Sequence, residues 1–136
     1  MDQTTREILA YRISNSLDVS FVIETIKDLK LYSLAKNTII NSDQGVHYSS
    51  KKYNEITSMM GLSASMTRRG KCVDNAPIEI FFGHMKDEVN FNILQTLEEV
   101  VEIIDKYIYY YNNNRQQWTL KKMTPIEYRN HLLSVA

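Results

Sequence analysis

Apolar positions along the chain recur at two different steps, and the change of step marks the expected elements. From Arg6 to Ser14 the residues alternate. Leu9, Tyr11 and Ile13 fall on one face and Ile8, Ala10 and Arg12 on the other, which predicts a strand with both faces partly covered. After Asp18, a helix cap by residue type, Val19, Val22, Ile23, Ile26 and Leu29 recur at three- and four-residue steps, predicting a helix through about Ser33. The β-branched run Thr38-Ile39-Ile40 then predicts a short buried strand from Asn37 to Asn41. Strand, helix and strand in that order read most simply as a βαβ crossover.

Beyond the second strand, Ser49 is the expected cap of a helix through Met60, with Tyr48 and Tyr53 set as a hydrophobic staple and Gly61 as terminator. Leu62, Ala64 and Met66 alternate with Ser63, Ser65 and Thr67, predicting a half-buried edge strand. A helix beginning near Asp74-Asn75-Ala76-Pro77 carries Ile78, Phe82, Met85 and Val89 as its core stripe. Glu79, Gly83, Lys86 and Asn90 share a neighbouring face. A longer helix from Thr96 to Tyr111 sets Leu97, Val100, Val101, Ile104, Ile108 and Tyr111 inward, leaves Glu98, Glu99, Glu102 and Asp105 to solvent, and ends at Asn112-Asn113-Asn114. Tyr107, Tyr109, Tyr110 and Tyr111 cannot all share one helical face, so packing is expected of them rather than a stacking platform. Trp118 is the expected aromatic anchor closing the core, and Thr124-Pro125 opens a last helix, Ile126 to Leu133.

Composition adds bounds. At 136 residues and 43% apolar, the chain has material for one domain, read as a core over 1–110 with a helical tail over 111–136. Sixteen basic residues balance sixteen acidic ones, so a nucleic-acid partner has to be argued from local clusters. The best is Arg68, Arg69 and Lys71 around Gly70, a phosphate-binding candidate whose competing reading is a plain solvated loop. A single cysteine, Cys72, excludes an intramolecular disulfide, and His47, His84 and His131 are too scattered for a zinc ligand set. With no secretory signal or uninterrupted apolar span, cytoplasmic residence is expected.

Two acids carry the candidate chemistry. Asp43 follows the short strand at the edge where α/β sheets keep their ligand sites. Glu79 comes after 35 intervening residues (44 to 78), in the first turn of a helix, and the two carboxylates are expected to meet in space as metal or catalytic acids. Taken singly, an acid before Gly45 is ordinary turn chemistry, and an acid in a first helical turn is what the macrodipole favours.

The ordered set Ser42-Asp43-Gln44-Gly45, the spacer, and Asp74-Asn75-Ala76-x-x-Glu79-x-Phe81-Phe82-x-x-x-Lys86-x-Glu88 resembles bacterial insertion-sequence transposases of the integrase superfamily. The resemblance runs from about Asp2 to the end of the chain. It implies a ribonuclease-H-like α/β fold that cuts and joins DNA with an Asp, Asp, Glu triad and two magnesium ions, or manganese in their place. Asp43 and Glu79 would each hold one metal. Arg68, Arg69, Lys71, Asn75 and Lys86 would contact DNA, with Lys86 two turns beyond Glu79 on its face, and Asp74 and Asn75 also reading as helix caps.

The third acid of the family pattern lies upstream, on the first strand, whereas Asp2-x-x-x-Arg6 matches the turn after it. Asp2 is therefore not that ligand. The expectation is an N-terminally truncated core, the C-terminal portion of a transposase, lacking the first, central strand and leaving Arg6 to Ser14 without its ladder partner. Asn41 also departs from the pattern, standing where the family commonly has His. The implied partners are transposon-end and target DNA, a second copy or a full-length transposase, and no membrane, with the chain at the nucleoid when bound to DNA. Such a chain would be inactive alone; the alternative is a non-catalytic DNA-binding or transposase-pairing inhibitor protein, and a small α/β interaction domain stands behind both.

Overall fold

Parallel strands need a crossover between them, and here a helix supplies it. β1 (Ile39–Ser42) pairs with β2 (Ser63–Met66) in register from Ile39 opposite Ser63 to Ser42 opposite Met66, with α2 (Lys51–Met59) between them in sequence. The computed structural model describes residues 1–16, 18–67, 75–93 and 96–135. These form two units, 10–76 and a second made of 1–9 with 77–136.

In the first unit, α1 (Val19–Asp28) opens on Asp18, whose carboxylate accepts the Ser20 N–H at 3.1 Å, and closes into a 3₁₀ turn at Leu29–Leu31 rather than running to Ser33. The α2 cap is Ser50 instead of Ser49. The Ser50 hydroxyl accepts the Tyr53 N–H at 3.2 Å, three residues on, while Ser49 donates back to the Val46 carbonyl at 3.1 Å. Gly61, at φ +68, ends the helix: its N–H donates to the Ser58 carbonyl and the Leu62 N–H to the Thr57 carbonyl, the paired bonds of a Schellman cap. Val22, Ile26, Tyr53 and Leu62 form the core of this unit.

Two expectations fail here. Residues 6–14 join no ladder among the described residues; Arg6 turns through φ 63, and Arg12 is drawn instead to Asp28 by two hydrogen bonds of 2.9 and 3.0 Å. Alternation is a local property of the sequence, but a strand also requires a hydrogen-bonding neighbour. The βαβ unit is therefore β1–α2–β2 and not a crossover through α1. The second correction is β2, where all four residues are exposed, so Ala64 and Met66 bury no face.

The second unit is helical. α3 (Ala76–Glu88) has Pro77 in its first turn, α4 (Leu97–Asn113) is capped by Thr96 with Glu99 answering, and α5 (Pro125–Ser134) by Thr124 with Glu127 answering. Its core is Ile8, Phe81, Met85, Val89, Tyr107, Ile108 and Tyr111. Phe81, not Phe82, faces inward: its ring meets Tyr111 edge-on at 4.8 Å, whereas Phe82 is 47% exposed. Tyr107 and Tyr111, one turn apart, are buried while Tyr109 and Tyr110 are exposed, as their spacing requires. Trp118 does not close the core. It is 82% exposed, and Leu120, 2% exposed, fills that role.

Asn112, buried on α4, clamps the N-terminal segment. Its Oδ1 accepts the Ile8 N–H and its Nδ2 donates to the Ile8 carbonyl, both at 3.0 Å. Replacing it strands two buried backbone groups, so Asn112→Ala is expected to destabilise the chain by about 2 kcal/mol. Urea unfolding should show a lower midpoint at an unchanged slope.

Candidate active site

Asp43 is the first residue past β1, and its side chain is exposed. Its Oδ1 accepts the Gly45 N–H at 2.8 Å, which folds the carboxylate against the backbone of the following turn. Gly45 leaves room for this. A Cβ there would stand 2.9 Å from Asp43 Oδ1 and 3.4 Å from the Tyr48 ring. Burial, and then the Asp43 charge beside it, push the Tyr48 phenol above its ordinary value, so it stays protonated at neutral pH. Gly45→Ala is therefore expected to push the Asp43 carboxylate aside and lower any activity that uses it about 10-fold, measured as nicking rate at constant thermal stability.

Two residues before Asp43, Asn41 organises a polar network. Its Nδ2 donates to Thr67 Oγ1 at 2.8 Å and to Asn75 Oδ1 at 3.2 Å, and Thr67 Oγ1 also donates to Asn75 Oδ1 at 3.4 Å. Asn75 immediately precedes α3, so the end of β1, the residue after β2 and the approach to α3 are tied together. Asn41 thus has a structural occupation of its own where the resembled pattern has His. Asn75 spends its carbonyl oxygen inside this network.

Glu79 lies in the first turn of α3, exposed, where the helix N-terminus favours its charge. Lys86, seven residues on and also exposed, shares its face two turns later. Glu88, the last acid of the motif, is structural. It accepts Arg115 Nε at 2.9 Å, Arg115 Nη2 at 2.8 Å and the Tyr107 hydroxyl at 3.3 Å, and Arg115 holds its carboxyl below the ordinary range. Asp43 belongs to one unit and Glu79 to the other, each positioned within its own. Arg68, Arg69, Lys71, Cys72 and Asp74 lie outside the described residues.

Magnesium takes hard oxygen ligands and commonly binds through one or two carboxylates plus substrate phosphate. Asp43 and Glu79 offer that donor type on exposed side chains. Among the described residues no group of three or more His, Cys, Asp and Glu is gathered tightly enough to hold a metal by itself. No helix among them is long and apolar enough to cross a membrane.

Residues 1–72 and 79–133 match two family models, each described as an integrase core domain. Asp43 falls within the first match, and Glu79 is the first residue of the second. The chain is 35% identical over 133 residues to InsK of Escherichia coli (strain K12), a protein assigned by its description to insertion sequence element IS150, covering 96% of this chain and 47% of that protein. It is 33% identical over 134 residues to an uncharacterized transposase-like protein of Haemophilus influenzae, covering 98% and 62% respectively. The chain thus spans 47% to 62% of the length of these two curated relatives. In three dimensions it superposes on the catalytic core domain of BIV integrase with a TM-score of 0.72 at 16% identity, over 96% of this chain and 83% of that one. That likeness carries the α/β fold, with its five helices and small parallel sheet among the described residues.

Proposed function

The chain belongs to the integrase core family of insertion-sequence transposases, and from that premise we propose that Asp43 and Glu79 are two carboxylates of a metal-dependent DNA strand-transfer centre. The observation that carries this reading is Asp43 itself. Its exposed carboxylate stands at the C-terminal end of β1 in a parallel βαβ unit, folded onto the Gly45 N–H where an added Cβ would crowd it. Glu79 is paired with it on the motif that the two share with the family, and not on a contact between them.

A divalent ion at such a centre supplies Lewis acidity to the attacking and leaving oxygens of a phosphodiester. Asp43 and Glu79 would provide its anionic oxygens, and Lys86 a cation for a DNA phosphate on the Glu79 face. No residue of the sequence is assigned as the third acid. Asp2 is a poor candidate, because its Oδ1 already accepts the Thr4 N–H at 3.1 Å, the Thr5 N–H at 2.7 Å and the Thr5 hydroxyl at 2.8 Å. With no third acid assigned, the chain is read as an integrase core that is inactive until such an acid completes it.

The test is nicking and strand transfer on transposon-end DNA with magnesium or manganese. It compares this chain alone, this chain joined to the upstream segment of a full-length relative, and the joined form carrying Asp43→Asn or Glu79→Gln. Activity in the joined form alone, abolished by either substitution, is the expected result. Activity retained by both variants would remove Asp43 and Glu79 from the centre, and no activity in any form would turn the reading toward a non-catalytic protein that binds transposon DNA or pairs with a transposase.

A further inference from the structure

The segment from Gln117 to Met123 is a small closed knuckle between α4 and α5. The Gln117 N–H donates to the Met123 carbonyl at 3.0 Å, and the Lys122 N–H to the Gln117 carbonyl at 3.0 Å. Leu120 is buried beneath it. On its outer side stands Trp118, the single tryptophan of the chain and 82% exposed, with Lys122 Nζ lying 4.6 Å from the ring centroid. Lys121 (φ 55) and Lys122 (φ 63) are consecutive left-handed residues. That conformation strains any side chain, and glycine or asparagine would adopt it more cheaply, so two lysines here are held against the backbone's preference. No acid occurs between Asp105 and Glu127, and Glu127 is committed to the α5 capping box. Among the described residues neither lysine is in an ion pair.

We propose that Trp118, Lys121 and Lys122 form a DNA contact separate from Asp43 and Glu79, in which the indole stacks on an unpaired base while the two ammonium groups meet the adjoining phosphates. An exposed aromatic flanked by cations is the arrangement that single-stranded nucleic acid recognises, because every base has a π-face and every linkage a charge. Lys122 covers one face of the indole and polarises it, leaving the other for a base. A partner carrying acidic residues but no bases would satisfy the lysines without using the ring. The proposal rests on DNA being the partner of this chain, as argued above.

Because Trp118 is the only tryptophan, its emission reports the stack directly. Titrating the full chain with a single-stranded oligothymidylate is expected to quench that emission. By anisotropy of the same oligonucleotide carrying a dye, Trp118→Ala should bind about 10-fold more weakly and Trp118→Phe close to the parent. The Lys121→Gln/Lys122→Gln pair should flatten the dependence of log affinity on log salt by about 1.4, two phosphate contacts at 0.7 each. All three variants alter exposed side chains, and circular dichroism checks that they stay folded. Binding of DNA with unchanged Trp118 emission overturns the proposal and leaves the function of Asp43 and Glu79 standing. Equal quenching by polyglutamate overturns it in favour of an acidic protein partner. Failure to bind any DNA overturns it as well, while the metal-dependent substitutions at Asp43 and Glu79 test the catalytic reading separately.

Discussion

Joined to the upstream segment of a full-length transposase, the chain is expected to lose at least about 1,000-fold of its strand-transfer rate on Asp43→Asn or Glu79→Gln, roughly 4 kcal/mol of transition-state stabilisation. Each substitution is isosteric and removes one anionic ligand oxygen's charge without removing its bulk. Asn at position 43 can still accept the Gly45 N–H, so the turn after β1 should hold. Both side chains are exposed, and stability is expected to move by less than about 0.5 kcal/mol. The double variant should be no slower than either single one, because groups that act as a unit are not additive. Single-turnover nicking and joining in magnesium, repeated in manganese, measures all three. A variant that keeps more than about a tenth of the parent rate with its fold intact would remove that acid from the centre.

What the sequence made legible was whatever is decided within a few residues. Asp18 was legible as a cap, and Thr96 and Thr124 as helix starts, because a helix N-terminus needs only a short polar side chain and the N–H groups two or three positions on. The miss at Ser49 shows the limit. Two adjacent serines both qualify by type, and only the actual reach of Ser50 to the Tyr53 N–H separates them. Phe81 and Phe82 pose the same problem in α3, since one lies four and the other three residues before Met85. Tyr111, thirty residues away in sequence (81 to 111), decides between them. Residues 6–14 were misjudged because alternation says which faces a strand would have, not whether a neighbour exists to bond it. Trp118 was misjudged from its size: an indole can close a core or stand outside one, and the cation over its ring belongs to the second case.

The candidate site divides in the same way. The position of Asp43 past a strand was legible because a β-branched run, an acid and a glycine are consecutive, and that of Glu79 in a first helical turn because Pro77 announces the helix start. The polar network of Asn41 was not. Asn41 meets Thr67 and Asn75 across 26 and 34 positions, and asparagine gives no periodic signal. Glu88 looked like part of the chemical motif in sequence. The arginine that claims it lies 27 positions further on. The furthest-reaching ion pair, Glu7 with Arg129 across 122 positions, is the least legible of all.

Arg129→Ala is expected to lower the stability of the chain at neutral pH by about 3 kcal/mol, somewhat under the full penalty for orphaning a buried charge because Arg129 itself is one-third exposed. Glu7 is 3% exposed; Arg129 Nη1 donates to its Oε1 at 2.6 Å, and its Oε2 is buried with no hydrogen-bond partner among the described residues. Burial holds the Glu7 carboxyl above its ordinary value of 4.5, outweighing the opposite pull of Arg129. A carboxyl raised in the folded state adds stability below its unfolded value, and that contribution is lost as pH rises through the folded one. Removing Arg129 raises the folded value further. The deficit of Arg129→Ala should therefore shrink toward pH 4, where Glu7 is mostly protonated in folded and unfolded chains alike, and grow as pH rises past 4.5 toward neutrality. Glu7→Gln removes the charge at the source, so Glu7→Gln/Arg129→Ala should recover at least about half of the loss at neutral pH and show none of this pH dependence. Urea unfolding of the four forms at both pH values is decisive. A deficit equal at the two, or no recovery in the double variant, would mean that Arg129 acts through packing of its stem rather than through the Glu7 charge.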